Sequence, residues 1–408
     1  MKSTMPKKIL VIFGTRPEAI KMAPVVQQLE KKPGRFTVLT CVTGQHRQLL
    51  DEVLHVFDLQ PQIDLHLMRR EQALSDLTAR AITRVSKVLA KVQPDLVLVQ
   101  GDTTTAMSAA MASFYARIPV AHVEAGLRTC DRFNPFPEEI NRRTIGAVAD
   151  LHFAPTPSAA QALLAEGVAR SDIFITGNTV IDALLIAAAR APAQLRHRFT
   201  DRHRYILVTA HRRESFGQPI RRICEALKQI AARHPGVGIV YPVHPNPEIR
   251  RPVREVLSQV DGVRLCNPLG YLDFVACLKG AHFILTDSGG IQEEAPALGK
   301  PVLVVREATE RPEAIEAGVA KLVGTEVDAI VAAVDELLLV PAAYRRMARV
   351  SNPFGDGRAS MRIAHVLEHR LFYEPGERCP AARCELELSH STRPLTQAPE
   401  QLEIARCT

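Results

Sequence analysis

The chain predicts an α/β fold of doubly wound parallel sheets, arranged as two domains. Three observations carry that expectation. Apolar, β-branched runs of strand length alternate with segments of helical period along most of the chain, the order that covers both faces of a parallel sheet with helices. The series starts afresh near Tyr205. The residues able to do chemistry cluster just after the apolar runs, where doubly wound sheets bind their ligands.

The first series opens with "KILVIF" (8–13), a buried strand, followed by "FGTRPEAIK" (13–21). Gly14 permits a tight turn and Pro17 suits a first helical position. Pro24 opposes a continuous helix, so a short turn over 17–23 and then a longer helix is expected. Further strands are expected in "FTVLTCVTG" (36–44), "PDLVLVQGD" (94–102) and "IPVAHVEAG" (118–126), with a helix over 73–92. An Ala-rich helix lies within 176–200. The second series runs through "YILVTAH", "VGIVYPVHP", "VRLCNPLGY", "AHFILTDSGG", "KPVLVV" and "AKLVGT". The halves echo each other: "ILVIFGTRPE" and "ILVTAHRRE" both end in a basic turn. This suggests two Rossmann-like domains facing each other across a cleft. The expected divisions are residues 1–176, 177–365, and 366–408 for a final helix and tail. From Tyr373 onward the tail is rich in Pro, Glu, Arg and Ser and is expected to be disordered or loosely docked.

Composition narrows the function. The chain of 408 residues has 46% hydrophobic residues but no Trp and 5% aromatics, so its cores must be aliphatic. No apolar run reaches membrane-span length, and the N-terminus lacks a signal-peptide pattern. Eight scattered cysteines without a C-x-x-C read as free thiols. A cytoplasmic protein is expected. The net charge of +7 comes without a long Lys/Arg block, which favours an anionic small molecule over nucleic acid.

The strand exits supply the candidates. Arg16 and Lys21 stand by a helix N-terminus, where anions bind; a surface ion pair of Arg16 with Glu18 is the plain alternative. "GDTTT" places Asp102 and three threonines before a small-residue helix, more than one N-cap explains. Glu124 ends an apolar strand, an unusual place for a carboxylate. "FPEEINRR" puts Glu138, Glu139, Arg142 and Arg143 at a helix start, where Glu138 and Arg142 are i,i+4 partners. Asp102, Glu124 and Glu138 converging on one cleft would push their pKa values apart, as acid/base chemistry requires. His211, Arg212, Arg213 and His244 follow strands of the second series without the company a metal needs. Ser288, Gly289 and Gly290 offer backbone N–H groups and a hydroxyl to a phosphate. Glu294 suits ribose hydroxyls, and Arg311 is a second phosphate clamp.

Together, "FGTRPEAIKMAP", "VTGQHRQLLD", "GDTTT", "HVEAGLRT", "PFPEEINRR", "GNTVIDAL", "TAHRRESFG", "HPNP", "DSGGIQEEAPALGKPVLVVREATERPEA" and "NPFGDGRAS" resemble the bacterial non-hydrolysing UDP-N-acetylglucosamine 2-epimerases, in family order from about residue 8 to 370. The resemblance implies a glycosyltransferase B-type fold whose last helix packs on the first domain, a homodimer, and conversion of UDP-GlcNAc to UDP-ManNAc without NAD or metal. It implies acid/base roles for Asp102, Glu124 and Glu138, with His211 at the diphosphate. Arg16, Lys21, Ser288, Gly289, Gly290, Glu294 and Arg311 would hold UDP, and Arg142 is a further substrate-binding candidate. A second, activating UDP-GlcNAc site is implied at Gln45, His46, Gln72, Glu138, Arg212 and His244. Three alternatives are weighed: a hydrolysing epimerase releasing ManNAc, which Gln45, His46 and the other activator positions argue against; a glycosyltransferase of the same fold, which the three carboxylates and the missing acceptor region argue against; and a non-catalytic UDP-sugar sensor, which would be expected to lose one or more of Asp102, Glu124 and Glu138.

Overall fold

The structure is a computed structural model that describes residues 5–44, 47–68, 72–191 and 200–373. Contacts divide the chain into two units. One comprises residues up to Leu50, Leu59–Thr179 and from Arg358 onward; the other comprises Asp51–Asp58 and Val180–Gly357.

The first unit is built on seven parallel strands: β1 (Lys7–Phe13), β2 (Phe36–Val42), β3 (Ile63–Asp64), β4 (Leu96–Gln100), β5 (Val120–Val123), β6 (Leu151–Ala154) and β7 (Ile173–Ile175). Their order is β3-β2-β1-β4-β5-β6-β7, with Ile9 beside Val38 on one side and Leu96 on the other. The order reverses between β1 and β4, which makes their carboxyl ends the switch point where such sheets bind ligands. Leu10, Ile12, Val97 and Val99 pack against Leu77, Val85 and Leu89 of α3 (Leu74–Val92). The same cluster takes in Ala106, Ala109 and Ala110 of α4 (Thr104–Tyr115). The core is aliphatic, as the composition requires.

The helix α1 (Arg16–Glu30) is continuous, contrary to the break expected at Pro24. Pro24 leaves the Ile20 carbonyl without its helical donor. Burial of Ile20, Met22, Ala23, Val25, Val26 and Leu29 outweighs that single lost bond. At the other end Thr15 and Glu18 form a capping box. The final described helix, α15 (Ala359–Phe372), lies against α1 and β2: Glu368 pairs with Lys32 at 2.5 Å and Arg35 at 3.2 Å, and Phe372 meets Phe36 edge-on.

The second unit repeats the plan with six parallel strands: β8 (Arg204–Thr209), β9 (Val237–Pro242), β10 (Val263–Cys266), β11 (Phe283–Thr286), β12 (Val302–Val304) and β13 (Ala320–Leu322). The order is β10-β9-β8-β11-β12-β13, so its switch point lies between β8 and β11. Ile206, Val208, Ile239 and Tyr241 pack against Ile223 and Leu227 of α8 (Gln218–Arg233) and Val334 of α13 (Val327–Leu339). Among the described residues no helix is long and apolar enough to cross a membrane.

Gly14 closes the turn after β1 under tight constraint. A Cβ there would lie 2.1 Å from Thr43 Oγ1 and 2.6 Å from Thr105 Oγ1, two hydroxyls already 3.0 Å apart. Gly14→Ala is therefore expected to cost about 1–3 kcal/mol by overpacking, measured by denaturant unfolding, with the first unit losing stability before the second.

Candidate active site

Around the first switch point the main chain is held before any ligand is considered. Glu18, fully buried, accepts from Gly14 N at 3.0 Å, Thr15 N at 2.7 Å and Thr103 Oγ1 at 2.6 Å. Burial pushes its carboxyl above the ordinary range, against the pull of those donors. Glu18 is thus no surface partner for Arg16. Among the described residues the Arg16 side chain makes no hydrogen bond or ion pair, and it stands half-buried.

The threonines of "GDTTT" divide their work. Thr103 caps α4 through Ala106 N and reaches Glu18, while Thr105 meets Thr43. These are structural duties, a cap and two packing hydrogen bonds, so structure accounts for more of the run than a single N-cap would. Asp102 is the exception. Its Oδ2 accepts from Arg142 at 2.6 Å, and Asn141 Nδ2 donates to its carbonyl at 2.9 Å. Burial pushes the Asp102 carboxyl up; Arg142 and Lys21 oppose this and Glu124 adds to it.

Glu124 sits one residue past β5 at φ 62°, a left-handed conformation that a non-glycine residue rarely adopts. Its neighbour Gly126, at φ 93°, passes so close to α6 (Pro157–Ala165) that a Cβ would lie 2.2 Å from the Ala159 carbonyl. The Glu124 carboxylate accepts from Lys21 Nζ at 2.5 Å, from Gln100 Nε2, and from Asn178 Nδ2 at 3.5 Å. Lys21, Glu124, Asp102 and Arg142 thereby form a cluster of alternating charge at the ends of β4 and β5.

The helix α5 (Glu138–Val148) supplies Arg142. The i,i+4 pair of Glu138 with Arg142 does not form. Arg142 turns to Asp102 and lies 3.4 Å from Glu139, which is fully buried and also holds Arg143 and Thr129. Glu138 Oε2 is left buried without a hydrogen-bond partner. Glu139 is the structural carboxylate of the pair, and Glu138 is the one with coordination to spare.

In the second unit the turn after β8 carries His211 and Arg212. Both backbone N–H groups donate to Asp287 Oδ2, at 2.7 and 2.8 Å, and Ser215 Oγ donates at 2.8 Å. The His211 ring stacks on His244 with centroids 5.5 Å apart. Burial holds His211 below the ordinary imidazole value, with Asp287 pulling it the other way. Arg212 pairs with Glu310, which also takes Arg306. Ser288 precedes α11 (Gly289–Ala297) without bonding its helix by side chain; Glu294 lies half-buried in that helix. Gly289 makes room for Glu310, whose Oε1 would lie 2.6 Å from a Cβ there. Arg311 is held by the buried Glu293.

Of the activator positions, Gln45 and His46 lie outside the described residues. Gln72 accepts from Arg80 and His244 is exposed. Sequence reasoning missed Gln100, Asn178, Asp287, Glu293 and Glu310. "GNTVIDAL" contained Asn178, and "DSGGIQEEAPALGKPVLVVREATERPEA" contained Asp287, Glu293 and Glu310, but only as parts of motifs. Among the described residues no group of three His, Cys, Asp or Glu is placed to hold a metal.

Two doubly wound domains with carboxylates and cations at their switch points define an enzyme of the glycosyltransferase B-type fold acting on an anionic substrate. The chain belongs to the UDP-N-acetylglucosamine 2-epimerase family, whose model matches residues 27–368. It is 52% identical over 371 residues to UDP-N-acetylglucosamine 2-epimerase of Yersinia pestis, covering 89% of this chain and 98% of that protein. Identity to UDP-N-acetylglucosamine 2-epimerase of Escherichia coli strain K12 is 51%, with the same coverage. The crystal structure of UDP-GlcNAc 2-epimerase from Neisseria meningitidis bound to UDP-GlcNAc matches with a TM-score of 0.81 and 45% identity, over 88% of this chain and 99% of that one.

Arg142 is the cation that restrains the Asp102 carboxyl against burial. Arg142→Gln should therefore move the limb of the pH–rate profile belonging to Asp102 to higher pH, by about one unit or more, as read from kcat/KM across pH 5–9. An unmoved limb would remove Asp102 from the titrating groups of the site.

Proposed function

We propose that this chain interconverts UDP-GlcNAc and UDP-ManNAc at C2 by elimination and re-addition of UDP, and does not release free sugar. The observation that carries the proposal is the alternating cluster of Lys21, Glu124, Asp102 and Arg142 in a member of this family.

The C2 hydrogen has no carbonyl beside it, so direct deprotonation is too slow to serve. Elimination solves this. A carboxylate takes the C2 proton, the C2–H electrons form the C1–C2 double bond, and the C1–O bond breaks with its electron pair passing to the β-phosphate of UDP. Re-addition reverses each step, with the proton delivered to the opposite face of C2. Two carboxyl groups in unlike surroundings suit that exchange. Burial favours the protonated form of Asp102, while Glu124 is held by one ammonium and two amides. Glu138, with a buried unpartnered oxygen, is the third acid/base candidate.

The diphosphate must be stabilised as it leaves and retained until it returns. Arg16, Lys21, Arg311 and the N-terminus of α11 at Ser288, Gly289 and Gly290 supply that grip in this reading, with His211 assisting at the diphosphate and Glu294 on the ribose. The protein then acts as a cytoplasmic homodimer, with a second UDP-GlcNAc as activator at Gln45, His46, Gln72, Glu138, Arg212 and His244.

Incubation with UDP-GlcNAc in D₂O, followed by NMR, tests the proposal. UDP-ManNAc carrying deuterium at C2 is expected, with sigmoidal initial rates against UDP-GlcNAc. Free ManNAc would make this a hydrolase, and unchanged substrate would make it a transferase or a sensor. Hyperbolic rates would remove the activator alone.

A further inference from the structure

Asp287 is fully buried and carries no ion pair with Lys or Arg among the described residues. One of its oxygens is saturated: Oδ2 takes the His211 N–H, the Arg212 N–H and the Ser215 hydroxyl. The other, Oδ1, is enclosed without any hydrogen-bond partner. A buried carboxylate oxygen left empty is costly. The imidazole nitrogen facing it is His211 Nδ1, at 3.8 Å. His244 stacks on a face of that ring, and Arg212 pairs with Glu310. Nδ1 is thus the ring nitrogen on the Asp287 side, with Nε2 on the opposite edge of the imidazole.

We propose that Asp287 is a positioning residue for the reaction, fixing His211 in the Nδ1–H tautomer so that Nε2 is the atom offered to the departing diphosphate. The nitrogen that carries the proton in a neutral imidazole is set by the partner of the other nitrogen. An anionic oxygen accepts and never donates, so it selects Nδ1–H. When His211 takes up a proton at Nε2, the same carboxylate stabilises the imidazolium. What His211 does for UDP rests on the epimerase reading; the tautomer does not, and is measured without turnover.

The rival account is that Asp287 merely ties down the turn over 211–215. Asp287→Asn separates the two. Its amide oxygen can keep the turn donors, while its NH₂ donates toward Nδ1 and enforces the opposite tautomer. Losing the charge weakens the three hydrogen bonds to the turn, so the fold of the variant is checked from its own NMR spectrum.

Long-range ¹⁵N–¹H NMR of the intact protein, with His211 assigned by difference against His211→Gln, is expected to show Nδ1–H in the wild type and Nε2–H in Asp287→Asn. Turnover of Asp287→Asn should fall on the order of 10²-fold in kcat, with KM within about 3-fold. The limb of the pH profile belonging to His211 should move to lower pH, because the group that pulls it upward is gone. Ser215→Ala removes one Oδ2 donor, leaves Oδ1 in place, and should keep both the tautomer and kcat. A wild-type Nε2–H tautomer overturns the proposal, even if Asp287→Asn fails to fold. So does a folded Asp287→Asn that keeps wild-type kcat. A wild type that shows Nδ1–H but no epimerisation would sink the functional reading and leave the tautomer assignment standing.

Discussion

At the heart of each unit, a buried carboxylate binds the turn that follows the first strand across the switch point of the sheet. Glu18 does this in the first unit and Asp287 in the second. Each accepts two consecutive backbone N–H groups, from Gly14 and Thr15 or from His211 and Arg212, and one hydroxyl, from Thr103 or Ser215. Turn amides at a strand exit must find an acceptor, and an exposed cluster of them attracts anions. Supplying an internal carboxylate frees the side chains of the same turns for a ligand. Arg16, Lys21, His211 and Arg212 are thus displayed by main chain that is already anchored.

A second regularity governs the charges. Four carboxylates of the site each carry a cation. Lys21 stands on Glu124, Arg142 on Asp102, Arg311 on Glu293, and Arg306 with Arg212 on Glu310. Such pairs add little net stability. They do fix where each cation sits, and preorganised charge is what the proposed departure of a diphosphate would need. Arg16 departs from the pattern, having no protein partner among the described residues.

Much of this was legible in the sequence, and the reasons for the gaps are physical. β1, β2, β4 and β8 are long apolar runs and announce themselves. β3 and β7, with two and three residues, are too short to show a period. Pro24 misled because propensity is local, whereas the burial that overrides it comes from elements distant in sequence. Strand exits were found because their place follows from sheet topology. Pairings were not: Asp102 meets Arg142 across 40 residues and His211 meets Asp287 across 76. Helical spacing suggested Glu138 for Arg142, and only the fold reveals that Asp102 takes it. Amides such as Gln100 and Asn178 carry no pattern at all until the carboxylate they serve is in place.

The helix α2 (Arg47–Val56) begins in the first unit and ends in the second, and the chain returns after Asp58. That short excursion is more than a connector. Glu52 accepts from Tyr271 N at 2.8 Å, capping α10 (Tyr271–Gly280), and Phe57 rests against the Tyr271 ring. Eight residues that precede most of the first sheet in sequence are therefore part of the second unit's own framework. With the return at Gly357, the polypeptide passes between the units four times. Neither half is a cassette that recombination can lift out whole: a gene fragment encoding residues 180–357 lacks a piece of its own fold.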